Sequence, residues 1–285
     1  MIYRISRHTS TPHTKIPSAS MSSSQTHNSA LPLAGKTALV TGASRGIGAG
    51  IALDLARQGA AVILHYASPS SQPKVEAICA EIASLPHKPS TSIFRADLSS
   101  PDGASTLLGD IKAQHGGDSF RLDILVNNAG MSKPIPLSQI TAADYEATYG
   151  LNVRGPLLVT QAVLPHLNPR SRIVNVSSVG ARAGYPSLSL YCSSKAALEG
   201  LTRVWAAELG GDGTTVNCVA PGPVESEMLD LIPQELVKSQ RMRTPVEKRT
   251  GRVDEVARVV TWLCGEGAGW VSGQTISASG GYAMY

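Results

Sequence analysis

Lys36-Thr37-Ala38-Leu39-Val40-Thr41-Gly42-Ala43-Ser44-Arg45-Gly46-Ile47-Gly48 is the stretch whose reading decides the fold. Lys36 to Thr41 is short and mostly apolar, as a strand is. Glycines follow at 42, 46 and 48. Ile51, Ala52, Leu55 and Ala56 then recur at helical spacing until Gly59. Such glycines allow a tight turn and close backbone approach, and the N-terminus of the helix behind them suits a pyrophosphate. A plain turn competes with this reading, because the spacing is GxxxGxG and not GxGxxG. The strand in front and the helix behind favour the nucleotide turn. Ala61 to Tyr66 is the next strand, which completes a βαβ unit.

The alternation continues downstream. A loop at Ser68-Pro69-Ser70-Ser71 leads to a helical stretch over 73–84, a strand over 91–95 and a helix over 102–115. Leu122 to Val126 is a strand that runs into Asn127-Asn128-Ala129-Gly130. One long helix is expected over 141–166, then a strand over 172–176 that ends at Ser177-Ser178. A helix to about Leu209, a strand over 215–219 ending at Pro221-Gly222, a helix over 254–263 and a short strand over 275–277 complete the pattern. Alternating β and α elements predict a single α/β domain: one doubly wound, Rossmann-like parallel sheet flanked by helices on both faces. Ligands in such sheets bind beyond the carboxyl ends of the strands, where every motif named here lies.

Upstream of Gly35 the pattern stops. Residues 1–32 are rich in Ser, Thr and His, lack apolar periodicity and read as a disordered N-terminal extension to a domain over 33–285. Arg4, Arg7 and Lys15 stand there with no acidic residue, a composition that also fits a mitochondrial transit peptide. The competing reading is a non-functional extension with Met21 as the true start and a cytoplasmic protein. Of 25 Lys+Arg, these three leave 22 against 21 Asp+Glu, so the body is near neutral and gives no argument for nucleic acid. No apolar run approaches a membrane span. Cys79, Cys192, Cys218 and Cys264 have neither zinc nor disulfide spacing, which fits a reducing compartment and no metal.

Tyr191-Cys192-Ser193-Ser194-Lys195 opens the fifth expected helix. Residues four apart share a helix face, so an ammonium is expected near a phenol, lowering its pKa from roughly 10. A tyrosine tuned in this way exchanges a proton near neutral pH. A chance YxxxK is the bland reading of the motif alone. Cys192 reads as a small buried thiol and not a nucleophile.

Taken together these motifs resemble the short-chain dehydrogenase/reductase family. Its TGxxxGxG is Thr41 to Gly48, its NNAG is Asn127 to Gly130, and its helix asparagine matches Asn152 in Leu151-Asn152-Val153-Arg154-Gly155. Its serine, thirteen residues before the tyrosine, selects Ser178 over Ser177. Its YxxxK is Tyr191 and Lys195, and its PG turn is Pro221-Gly222. The resemblance spans roughly residues 33–285 and is nearest to NADPH-dependent carbonyl reductases, 3-oxoacyl-carrier-protein reductases and fungal ketoreductases. It implies reduction of a ketone to a secondary alcohol, or the reverse, by hydride transfer. Tyr191 would act as acid/base, Lys195 would tune it and bind the nicotinamide ribose, Ser178 would hold the substrate oxygen, and Asn152 would hold a relay water. For Asn152 a buried, backbone-satisfied amide is the alternative. The cofactor contacts implied are Gly42, Ser44, Arg45, Gly46, Ile47 and Gly48 in the turn; Tyr66, Ala67 and Ser68 after the second strand; and Ala96, Asp97 and Leu98 after the third. Asn128, Ala129, Gly130, Tyr191, Lys195, Pro221, Gly222, Val224 and Ser226 complete them. Asp97 could instead cap a turn.

NADP(H) is the expected cofactor. The second strand ends without the acid that would accept from ribose hydroxyls and repel a 2′-phosphate, and no acid follows until Glu76. Arg45 is placed to meet that phosphate, unless it points into solvent. The family pattern also implies a homo-oligomer, tetramer or dimer, and a substrate lid over about 223–250, with a docked pair of surface helices as the alternative. The partners expected are a small carbonyl or alcohol substrate, no nucleic acid and no membrane. Rival functions are a 3-oxoacyl-carrier-protein reductase, and a nucleotide-binding regulator that keeps the fold without the chemistry.

Overall fold

Seven strands form one sheet in the order β3-β2-β1-β4-β5-β6-β7, every pairing parallel. This computed structural model describes residues 31–230 and 234–285, without the side chains of Met228 and Asp230. The expected extension over 1–32 therefore lies outside the described residues, except Leu31 and Pro32. The described chain begins with a small anchor: Leu33 is buried, and its N–H donates to the Gln58 carbonyl at 2.8 Å.

The elements follow in alternation. They are β1 (Thr37–Val40), α1 (Gly46–Arg57), β2 (Ala61–Tyr66), α2 (Gln72–Ala83), β3 (Thr91–Arg95), α3 (Gly103–Gln114) and β4 (Leu122–Asn127). After these come α4 (Ala142–Tyr149), α5 (Gly155–Val163), β5 (Leu167–Val176), α6 (Ser189–Leu209), β6 (Thr215–Pro221), α7 (Glu227–Asp230), α8 (Gln234–Arg243), α9 (Val253–Cys264) and β7 (Thr275–Ala278). Successive strand residues face opposite sides. In β1 and β2, Ala38, Val40, Val62 and Leu64 join the core under α1, α2 and α9. Leu39 and Ile63 join the core under α3, α5 and α6. A side chain of this size contributes about 1.5–3 kcal/mol when fully buried. Two-sided burial therefore accounts for near-continuous apolar strands in place of an alternating pattern.

The helix expected over 141–166 is interrupted. A π-type turn over Gly150–Arg154 separates α4 from α5. Asn152 sits in that turn, fully buried, and bonds to a neighbouring loop. Periodicity carries through the extra residue, so the sequence reads as one helix.

The sheet order reverses between β1 and β4. The connection from β1 turns to β2 and β3 on one side, and β4 starts the other half. The loops diverging there open a crevice at the strand ends.

Candidate active site

The glycine turn fills the first half of that crevice. Gly42 has φ of 65° and Gly46 φ of 54°, conformations that favour glycine. A Cβ on Gly48 would lie 2.2 Å from the Gly42 carbonyl oxygen and 2.4 Å from Asn128 Nδ2, so only glycine lets α1 start this close to the turn. Thr41 holds the turn to the end of β4. Its Oγ1 donates to the Val126 carbonyl at 3.3 Å and accepts the N–H groups of Asn128 and Ala129, each at 3.0 Å. The Asn128 amide donates to the carbonyls of Thr41 and Gly42 at 2.9 and 3.1 Å. Asn128 is thus a clamp on the turn.

His65 is a second clamp, and the sequence reading missed it. Gly42 N–H donates to Nδ1 at 3.2 Å, so the ring proton lies on Nε2, which donates to the Ala96 carbonyl at 3.0 Å. One buried imidazole therefore ties the turn to the end of β3. Burial lowers its pKa to about 4, against the opposing pull of the Ala96 bond and Asp97. A histidine one residue from the end of an otherwise apolar strand was the available signal.

Beyond the ends of β2 and β3, Tyr66 ends β2 and is buried, and its carbonyl accepts from Ala96 N–H at 3.1 Å. Ala67 and Ser68 follow, with the Ser68 and Ser70 hydroxyls 2.7 Å apart. Asp97 Oδ1 accepts from Ser99 N–H and Oγ–H at 2.9 and 2.6 Å, and these bonds hold its carboxyl below the usual range. Its turn-capping alternative is what the side chain does here. The Leu98 side chain is packed in the core. Ser44 and Ile47 are half-buried in the turn.

The second half of the crevice is built on β5, β6 and α6. On α6 the residues Ser194, Lys195, Leu198, Glu199, Thr202 and Trp205 form the buried face at helical spacing. A polar ladder fixes that face. Asn127 donates to Thr160 Oγ1 at 3.0 Å and Asn175 Oδ1 at 2.9 Å, and Asn175 donates to Thr202 Oγ1 at 2.8 Å. Ser177 Oγ donates to the Lys195 carbonyl and to Glu199, each at 3.3 Å, so it points behind the site. Ser178 Oγ accepts Gly180 N–H at 3.0 Å, and a Cβ on Gly180 would lie 3.2 Å from this oxygen and 3.5 Å from Tyr191 Cε1. Ser178 and Tyr191 are therefore neighbours.

Lys195 Nζ donates to the Val176 carbonyl at 2.7 Å and lies 6.0 Å from the Tyr191 ring centre. Burial lowers its pKa to about 8. Tyr191 shows a correction to the sequence expectation. Burial raises its pKa, Ser178 pulls it down by hydrogen bonding, and Cys192 pushes it up; no lowering by Lys195 enters. The ammonium donates to Val176, and burial is the dominant influence on the phenol.

Asn152 Oδ1 accepts Met131 N–H at 2.8 Å, and its amide donates to the Met131 carbonyl at 2.9 Å and Ser194 Oγ at 3.0 Å. A Cβ on Gly130 would be 3.2 Å from both Asn152 Oδ1 and Lys195 Nζ, which sets these groups side by side. The buried, backbone-satisfied alternative describes the Asn152 side chain.

The PG turn closes the crevice. Pro221 ends β6, Gly222 N–H donates to the Ala278 carbonyl at 3.1 Å, and Val224 is buried against a bridge to Gly251. Ser226 Cβ would be 3.8 Å from a Cβ on Gly46, so the two ends of the chain's cofactor motifs meet. Arg45 does not point into solvent alone: its Nε is 3.5 Å from Glu227 on α7. Two helices do follow, α7 and α8. Val237 is buried, whereas Leu236 and Met242 face solvent. The expected lid residues Leu231 and Ile232, and the Met228 side chain, lie outside the described set. A cavity of about 320 Å³ lies here, lined by Ser226, Glu227, Val237 and Arg241 among others and by none of the four catalytic candidates. Among the described residues no cluster of His, Cys, Asp and Glu could hold a metal, and no helix is long and apolar enough to cross a membrane.

Fold and site together define a doubly wound α/β protein with a nucleotide turn and a Ser–Tyr–Lys cluster across one crevice. A family model described as "Enoyl-(Acyl carrier protein) reductase" matches residues 42–283. "Short-chain dehydrogenase/reductase FrzI" of a Cladobotryum species is 41% identical over 253 residues, covering 86% of this chain and 95% of that relative. "Hydroxynaphthalene reductase arp2" of Aspergillus fumigatus is 38% identical over 262 residues, covering 87% and 92%. The crystal structure of angucycline C-6 ketoreductase LanV with bound NADP superposes with a TM-score of 0.80 at 33% identity, covering 87% of this chain and 96% of that one. The chain belongs to the short-chain dehydrogenase/reductase family and is an oxidoreductase.

Proposed function

We propose that the protein is an NADP(H)-dependent reductase of ketones, with Tyr191 as acid/base. The observation that carries this reading is the packing of half-buried Ser178 and Tyr191 with buried Lys195 and Asn152 into one group at the strand ends. The residues fit the cofactor: the space a Cβ on Gly48 would fill is closed to any side chain, and Arg45 stands where no acid follows β2. NADP-bound and fungal reductase relatives support the same choice.

NADPH, when bound, supplies hydride to the carbonyl carbon. Tyr191 gives its phenolic proton to the carbonyl oxygen, and the reverse reaction returns it. Ser178 Oγ accepts from Gly180 and its O–H bonds to Tyr191; with substrate present that O–H turns to the carbonyl oxygen and stabilises its developing charge. Lys195 keeps two N–H groups beyond its bond to Val176, available to ribose hydroxyls and to a proton relay. Both Asn152 amide N–H groups are committed, and Oδ1 keeps a lone pair that accepts from a relay water. Residues 223–250 act as the lid, and residues 1–32 as an extension outside the catalytic domain. A homo-oligomer fits the exposed Val204, Trp262 and Trp270 side chains.

NADPH oxidation by the purified protein tests the proposal against a panel of ketones, including aromatic ketones, a 3-oxoacyl thioester and an enoyl thioester. Turnover of ketones with NADPH, and weaker turnover with NADH, is expected. Turnover of the enoyl thioester alone, or of nothing in the panel with cofactor bound, would contradict it.

A further inference from the structure

Glu227, the first residue of α7, bridges two cations from distant parts of the chain. Its Oε2 lies 3.5 Å from Arg45 Nε in the glycine turn, and its Oε1 lies 2.5 Å from Lys74 Nζ in the first turn of α2. Arg45 and Lys74 flank the carboxyl end of β2, where Ser68 follows and where dinucleotide folds read the ribose 2′ position. Among the described residues, the acid paired with both cations is Glu227, from a segment far along the chain, next to Ser226, which packs near Gly46. Glu227, Arg45 and Lys74 are all about half exposed, so the bridge is solvent-screened and readily exchanged. A phosphate monoester carries more charge than a carboxylate and more oxygens for these donors. It offers a better partner to both cations.

We propose that Lys74 joins Arg45 as the second cation of the 2′-phosphate site, and that Glu227 is a built-in stand-in for that phosphate, displaced when NADP(H) binds. This rests on the NADP(H) reading above. Displacement frees α7 from the glycine turn and from α2 at the moment the cofactor seats. Loading of the phosphate is thereby coupled to release of Glu227 at the start of α7. NADH brings no phosphate, so the bridge stays closed under it. Lys74 contributes to cofactor choice through charge alone, since an ammonium acts on phosphate as a point charge.

Calorimetric binding of NADPH, NADH and adenosine 2′,5′-bisphosphate to the full chain tests this without turnover. Glu227→Gln removes the competitor and keeps the shape. It is expected to tighten NADPH and the bisphosphate about two- to fivefold, the worth of exposed ion pairs. NADH binding should not change. Lys74→Met is expected to weaken NADPH and the bisphosphate about tenfold, and NADH little. In the Lys74→Met background the gain from Glu227→Gln should shrink, because the two residues are coupled. Unchanged or weaker NADPH binding by Glu227→Gln would overturn the proposal, as would equal losses of NADPH and NADH in Lys74→Met. Equal affinity of the wild-type protein for NADPH and NADH would instead remove the cofactor reading on which it stands.

Discussion

At the scale of single residues, the side chains that build the crevice are those with nowhere else to bond. Asn128 and His65 bond to the backbone of the glycine turn, Thr41 ties that turn to the end of β4, and His65 ties it also to Ala96. His65 makes this testable through pH. The folded protein requires a neutral ring with a pKa near 4, whereas an unfolded histidine titrates near 6.5. Between those values the unfolded chain takes up a proton that the folded chain refuses. Stability therefore falls as pH drops across that window, by up to about 3 kcal/mol. His65→Leu abolishes this contribution. It also leaves the Gly42 N–H and Ala96 carbonyl unpaired, costing about 1–3 kcal/mol at pH 7. Urea unfolding of both proteins at pH 4.5 and 7 should show a lower stability for the variant at pH 7 and a smaller acid loss. Equal acid losses would refute the role given to the ring. Residue types in the motifs were legible in the sequence, but their partners were not. YxxxK predicted a lysine tuning a tyrosine, whereas the Lys195 ammonium turns to the Val176 carbonyl and burial raises the Tyr191 pKa.

At the scale of elements, alternation and apolar periodicity located every strand and the main helices, because two-sided burial imposes a plain pattern. What they could not show is an insertion that preserves periodicity. The turn over Gly150–Arg154 breaks the expected helix over 141–166 and depends on bonds from Asn152 to Met131, twenty-one residues upstream. No local pattern encodes a partner that distant. Asn152→Ala should strand the Met131 N–H and carbonyl and lose the bond to Ser194, costing about 2–4 kcal/mol. A melting curve checks this. A variant that melts with the wild type would mean that the π-type turn holds itself. The segment over 223–250 shows the same limit from another side. Its apolar residues have no clean period, since α7 and α8 are short and α8 buries Val237 while exposing Leu236 and Met242.

At the scale of the whole molecule, the sheet order does the assembling. Placing β1 beside β4 sets the glycine turn against Asn127–Gly130, and β5 and β6 then bring Ser178 and Pro221 to the same edge. Six motifs scattered from Thr41 to Gly222 come to one crevice, which is why their order and spacing were enough to read the fold. The bridge of Glu227 to Arg45 and Lys74 was not readable, because it joins residues that only folding brings together. The central claim is that this crevice performs proton transfer through one phenol. Tyr191→Phe keeps the ring and its packing and removes only the hydroxyl. The measurement is the rate of NADPH oxidation with the best ketone substrate, alongside the affinity for NADPH. The account predicts a rate lower by about 10²- to 10⁴-fold with cofactor affinity held at the wild-type value. A Phe variant that keeps most of the wild-type rate would contradict it.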